Sequence, residues 1–238
     1  MKFLKGFIVA FCIFIGLFLF AGILEKPNSE DVSQEKADKN SYKLVEEYYK
    51  LSRSSGYLYV NYFRIIENTG DTNLYLDYSE FEISNTSGTI LDQTSTFGAP
   101  QVIRPGEKGV YQCMFSFRHS EFTPESYNFV VKADLDIQKT KKSVIKLQTS
   151  NVSLKETDSN NIIIRGNISN NTDKNLKDFQ IVAFLYNEFD EMIGVAKSSY
   201  LNLDSGRNMN FDFSHYMMKN NIDSWDVKRY EIIAIAVE

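Results

Sequence analysis

The chain repeats itself once, and that repeat constrains its fold more than any other feature. From Ile66 it reads Ile66-Glu67-Asn68-Thr69-Gly70-Asp71-Thr72-Asn73-Leu74, and 102 positions later Ile168-Ser169-Asn170-Asn171-Thr172-Asp173-Lys174-Asn175-Leu176. The same offset relates Ile83-Ser84-Asn85 to Leu185-Tyr186-Asn187 and Ile90-Leu91 to Met192-Ile193, then slips to 100 where Pro105-Gly106 faces Ser205-Gly206. A period of about a hundred residues is domain-sized, so the chain holds two copies of one module rather than a solenoid. Each copy is long enough to bury its own core. The repeat speaks to architecture and leaves activity open.

Within each copy, apolar and aromatic runs alternate with polar turns. Fourteen Tyr and eighteen Phe against four Pro favour strands, because aromatic side chains suit a pleated, half-buried surface. Tyr42 to Leu51 has a composition that suits a helix. Its counterpart in the second copy, Val144 to Leu154, argues instead for a strand. Strands are then expected over Tyr57–Ile66 and Ile162–Ile168, and over Leu74–Ser84 and Leu176–Tyr186. Asn85-Thr86-Ser87-Gly88 and Asn187-Glu188-Phe189-Asp190 sit where tight hairpin turns belong. Two further strands flank the Pro105-Gly106 and Ser205-Gly206 turns. Each copy closes on a Tyr-led run, Tyr127–Leu135 and Tyr230–Val237. The last run, Ile232-Ile233-Ala234-Ile235-Ala236-Val237, is apolar on both faces and is expected inside packed layers. Roughly seven short strands per hundred residues is the pattern of an immunoglobulin-like β-sandwich, with a closed barrel as the alternative. The expected fold is all-β, with two tandem sandwiches over residues 41–138 and 139–238.

The N-terminus bears on location. Lys2 and Lys5 precede a 19-residue uncharged run, Gly6 to Leu24. A helix of that length, at about 1.5 Å per residue, nearly crosses a hydrocarbon core of about 30 Å. A cleaved signal peptide has a shorter apolar stretch and an Ala-x-Ala-like site, whereas Phe20-Ala21-Gly22 puts a ring at the first small position. Residues 1–24 therefore read as an uncleaved signal anchor, with secretion after cleavage as the alternative. The lysines stay cytoplasmic and the remainder lies outside. Residues 25–40 are charged and polar and read as a flexible tether.

The second copy resembles the FxLYD family of bacterial extracytoplasmic modules. Ile162-Ile163-Ile164-Arg165-Gly166-Asn167-Ile168-Ser169-Asn170 looks like that family's opening, and Phe184-Leu185-Tyr186-Asn187 falls at its naming motif. Leu203-Asp204-Ser205-Gly206 takes the place of its Leu-x-Pro-Gly turn. Asn187 stands for the usual Asp and Ser205 for the usual Pro. The first copy keeps Ile103-Arg104-Pro105-Gly106 but has Ile83-Ser84-Asn85 in place of the aromatic motif. Both copies are similar to immunoglobulin-like domains of Gram-positive surface proteins. The resemblance implies a surface-attached sandwich in a Gram-positive bacterium, with no catalytic residues to carry over.

Little chemistry stands out. Cys12 lies mid-run after Phe11, unlike a lipoprotein cysteine. Cys113 is the other cysteine, so no intramolecular disulfide is expected in the exported part, and its alternating neighbours make it a buried, inert thiol. His119 and His215 belong to no metal-ligand spacing. No nucleophile elbow or phosphate-binding loop is present. The loops bearing Asn68, Asp71, Asn73 and Asn170, Asp173, Asn175 carry the oxygen donors a hard cation prefers, but one carboxylate each is too little charge for calcium, and Asx turns explain the same residues. Asp134 with Asp136, and Asp190 with Glu191, read as a solvated face rather than a glycosidase pair. Alternation puts Tyr57 and Tyr59 on one face and Tyr62 on the other, as packing or as a stacking platform. Lys139, Lys141, Lys142 and Lys146 read as a solubilising linker between copies, with an anionic surface as the other reading. A formal net charge of −5 without a basic stripe excludes nucleic acid.

No catalytic, cofactor or metal residue is therefore assigned. The expectation is a non-enzymatic, membrane-anchored protein whose modules bind a protein or cell-envelope polymer. The six Asn and Asp positions are its candidate binding loops. A hydrolase with its site between the modules, or an accessory subunit of a larger membrane complex, are the alternatives.

Overall fold

The aromatic and β-branched runs of both copies form strands, and alternation along each strand decides which side chains enter a core. A computed structural model describes residues 35–118, 128–156, 162–214 and 227–237. The expected anchor, the tether up to residue 34, His119 and His215 lie outside these residues. Among the described residues the chain is all-β, with a single 3-10 turn at Lys39–Ser41. No helix among them is long and apolar enough to cross a membrane.

The first copy contains β1 (Glu35–Lys36), β2 (Tyr42–Ser54), β3 (Tyr57–Asn68), β4 (Asn73–Leu76), β5 (Ser79–Asn85), β6 (Ile90–Thr96), β7 (Gly98–Ala99), β8 (Val102–Ile103), β9 (Lys108–Arg118), β10 (Phe129–Asp134) and β11 (Ile137–Thr140). The second contains β12 (Val144–Lys146), β13 (Gln148–Glu156), β14 (Ile162–Ser169), β15 (Leu176–Tyr186), β16 (Met192–Lys197), β17 (Leu201–Leu203), β18 (Asn208–Ser214) and β19 (Arg229–Val237).

All pairings are antiparallel, and the sheets form successive layers. The first layer comprises two ladders, β1-β11-β4-β8 and β10-β5-β6. The second is β2-β3-β9-β7, the third β12-β19-β15-β16 with β17 on β15, and the fourth β13-β14-β18. Hydrophobic clusters fill the spaces between them. Leu74, Leu76, Phe81 and Ile137 of the first layer pack on Val60, Tyr62, Tyr111 and Phe115 of the second. Ile181, Ala183, Leu185 and Ala234 of the third pack on Ile164, Ile168, Phe211 and Phe213 of the fourth. This layering is consistent with β-sandwich packing.

A further cluster joins the second layer to the third. Phe63 and Ile65 of β3, Val110 of β9 and Ala99 of β7 meet Val182, Phe184 and Tyr186 of β15, Val195 of β16 and Ile233 and Ile235 of β19. β3, β15 and β19 thus bury side chains on both faces, in agreement with the two-faced pattern of Ile232–Val237. Phe63 and Phe184 are fully buried, each contributing about 1.5–3 kcal/mol relative to exposure.

The two copies share a pairing pattern, with β4 and β5 together matching β15, and β10 and β11 together matching β19. β1 pairs with β11 and β12 with β19, while β2 lies beside β3 and β13 beside β14. The hairpin turns are built alike, since Asn85 Oδ1 accepts from the N–H groups of Ser87 and Thr89, and Asn187 Oδ1 from those of Phe189 and Glu191. Gly106 (φ +78°) and Gly206 (φ +66°) supply the left-handed residue of the matching later turns.

Two expected segment limits differ. The tether was expected to run to residue 40, yet Lys36 pairs with Gln138, and Ala37 is buried in the first core with its N–H bonded to the Ile137 carbonyl. One small apolar residue inside a charged run gives no periodic signal. The expected boundary at 138/139 falls inside β11, whose residues pair with β4. Lys139 and Lys146 are accordingly strand residues rather than linker, ion-paired at 3.8 Å to Glu35 and Glu107.

Candidate functional site

Asn68 and Asn170, leading members of the candidate loops, are fully buried. Asn68 Nδ2 donates to the carbonyls of Thr72 (2.8 Å) and Ile103 (3.1 Å), and its Oδ1 accepts from the Gly70 N–H (3.0 Å). Asn170 Nδ2 donates to Lys174 (2.7 Å), Leu203 (3.0 Å) and Asp204 (3.1 Å), and its Oδ1 accepts from the N–H and hydroxyl of Thr172. Each amide closes its own turn and ties that turn to the next glycine turn. The backbone repeats the tie, with Asn68 N bonded to the Glu107 carbonyl and Asn170 N to that of Arg207. Side chains so committed touch no partner in this fold. The turn chemistry read from the sequence is thus present, in a buried form.

The other four loop positions divide. Asp71 and Asp173 are exposed, while Asn73 stands in the β4–β11 ladder opposite Thr140. Asn175 Oδ1 accepts from the Ser205 N–H (2.9 Å), so Asn170 and Asn175 converge on one turn. Among the described residues no group of three or more His, Cys, Asp or Glu side chains is placed to hold a metal.

The suspected acid pairs serve local structure. Asp136 accepts from Gln138 Nε2 and Asp190 from Arg229 Nε (2.7 Å), while Glu191 accepts from Asn187 Nδ2. Asp134 lines a groove of about 390 Å³ on the outer side of the first layer, with Glu80, Glu82, Gln93, Ser95 and Lys132. A second groove, of about 410 Å³, lies on the outer side of the fourth layer, lined by Asn151, Arg165, Asn167, Asn210 and Asp212.

At the rim of the junction core, Lys108 Nζ donates to Tyr186 Oη (3.1 Å) and Glu231 Oε2 (3.2 Å), and Tyr186 Oη donates to the same carboxylate (3.1 Å). Burial pulls the Lys108 ammonium down, but the bonds and charges of Tyr186 and Glu231 outweigh it and leave its pKa raised. Arg229 lies 3.7 Å over the Tyr186 ring. This cluster clamps the copies together with charge-assisted bonds. The both-face apolar pattern of β15 and β19 signals that junction in the sequence, while its polar rim has no sequence signal.

Cys113 is buried, and burial pushes its thiol up to about 12, with the Lys197 charge opposing. Tyr57 and Tyr59 share an outward face with ring centroids 6.3 Å apart, and Tyr62 points into the core.

No protein-family model matches the chain. No curated protein matches it in sequence. Among solved structures, a red sea bream transglutaminase is similar over 74% of this chain, at 9% identity and a TM-score of 0.23, and the chain covers 28% of that protein's length. The N-terminal CBM22-1–CBM22-2 tandem domain of Paenibacillus barcinonensis Xyn10C is similar over 86% of this chain and 97% of its own, at 5% identity and a TM-score of 0.14.

Proposed function

We propose that this chain is a non-enzymatic binding scaffold of the cell surface. It consists of two tandem immunoglobulin-like, FxLYD-type β-sandwich modules held outside the cytoplasmic membrane by the helix over residues 6–24. The modules engage a protein or cell-envelope polymer. The observation that carries this reading is the junction core of Phe63, Ile65, Val110, Val182, Phe184 and Val195. Burying that core fixes the two modules relative to each other, and a rigid pair presents its outer faces to a partner without an ordering cost on binding. With Asn68 and Asn170 committed to their own turns, sheet faces rather than those amides supply the contact surface.

In-cell crosslinking of the full-length protein, followed by capture and mass spectrometry, tests the reading. The expected result is a specific partner enriched over a control carrying residues 1–40 alone, with the N-terminal peptide intact. Cleavage near Gly22 would replace the anchor with secretion, and capture of no protein together with no binding to a cell-envelope polymer would overturn the scaffold itself.

A further inference from the structure

The second layer is only half covered by the third. Strand register sets its outward face in rows across β2, β3 and β9. The row Tyr48–Phe63–Gln112 includes Phe63 of the junction core and Tyr48, which packs against it. Beyond it the rows Lys50–Asn61–Met114, Ser52–Tyr59–Ser116 and Ser54–Tyr57–Arg118 continue outward. Met114 is 55% exposed and Tyr57 38% exposed, large apolar surfaces left open to solvent. β16 borders this ledge. Its Val195 belongs to the junction and bonds through its backbone to the Tyr48 hydroxyl, and Lys197 is the next residue on that face.

The charge of the ledge is one-sided. Its nine positions hold Lys50 and Arg118 and no acid, in a chain of formal net charge −5. Among the described residues, no carboxylate lies within ion-pair distance of Lys50, Arg118 or Lys197. Partial burial pulls the Lys50 and Lys197 ammonium groups downward in pKa, so both gain from an incoming anion. The cations are spread along the face rather than gathered on one point, which suits repeating anions over a single compact one. Between them the Tyr57 and Tyr59 rings offer apolar planes, and Ser52, Asn61 and Ser116 offer donors and acceptors for hydroxyl groups.

Resting on the scaffold reading above, we propose that this ledge binds an extended sugar chain bearing phosphate or carboxylate groups. The full-length protein in nonionic detergent would be titrated with a polygalacturonate oligomer of about twelve sugars and with a phosphomannan oligomer of similar length, to tell carboxylate from phosphate. Expected is saturable binding of at least one polymer that weakens on the order of tenfold between about 50 and 200 mM salt. Lys50→Gln with Arg118→Gln should weaken it about tenfold more. Both are surface positions, and an unchanged melting curve would show the double variant folded. Tyr57→Ala with Tyr59→Ala should weaken the sugar polymer severalfold while leaving polyglutamate of equal charge unaffected. Lys197→Gln gives a second, independent reading at the ledge border.

Indifference to both polymers would overturn the inference, as would equal affinity for polyglutamate, which would mean an acidic peptide surface. Binding only to phosphatidylglycerol vesicles would overturn it in favour of a lipid surface. A protein that captures a partner in cells yet ignores both polymers would sink this inference alone. One that captures nothing and ignores both would sink the scaffold reading with it.

Discussion

Single side chains at matched positions do much of the work of holding the turns. Replacing Asn68 or Asn170 by Ala removes donors from buried carbonyls of Ile103 or Leu203, which should cost about 2–4 kcal/mol in urea unfolding. Asp71→Ala and Asp173→Ala, at exposed positions, should stay within about 0.5 kcal/mol of the parent. The repeated Asn was legible in the sequence, and so was its turn chemistry. Its burial was not, because an Asn that caps its own backbone and one that meets a partner use the same donors and acceptors. Cys113 makes a second test. Its folded pKa is raised from 9.0 to about 12, so its burial adds stability that is full below pH 9 and fades as pH climbs toward 12. Tyr48, Tyr62 and Tyr111, raised by burial, act with the same sign above pH 10. The urea midpoint should therefore fall above pH 9, more gently in Cys113→Ala, and thiol reagents at pH 8 should label Cys113 only once the chain is unfolded.

At the scale of strands, close approach matters as much as alternation. Leu76 of β4 sits in a notch between β7 and β9, where a Cβ on Gly98 would fall 2.4 Å from Leu76 Cβ and one on Gly109 2.4 Å from Leu76 Cδ1. Gly98→Ala and Gly109→Ala should thus displace a fully buried leucine and cost about 1–3 kcal/mol by overpacking, read as a lower melting temperature. Gly106→Ala and Gly206→Ala meet open space but keep a left-handed backbone, so their cost should be smaller, about 1–2 kcal/mol. Strand positions were readable because Tyr57–Ile66, Leu176–Tyr186 and their turns repeat with fixed spacing. The notch was not, since it depends on three residues that lie together only after the sheets have stacked. β1 escaped for a related reason. A two-residue strand has no period, and only its pairing with Lys139 and Gln138 defines it.

Over the whole molecule, the junction core decides how the two copies behave. Phe184→Ala should cost about 3–5 kcal/mol and, by loosening the seam, split one calorimetric unfolding transition into two. The parent should show coincident loss of signal from both copies. The sequence hinted at this seam through the two-faced runs of β15 and β19, but Phe63 and Phe184 lie 121 positions apart and no spacing rule joins them. The seam also pairs unlike surfaces: the strand β3 face of one copy meets the β15–β19 face of the other. Such head-to-tail contacts do not close on themselves, and a chain of identical modules built this way would polymerise into a fibre. Here both ends are chemically blunted. The free face that would continue the stack at one end carries Glu80, Glu82, Lys132 and Asp134, and at the other Arg165, Asn167, Asn210 and Asp212. Divergence between the copies has placed charged and polar side chains where a further step of this packing would need an apolar face.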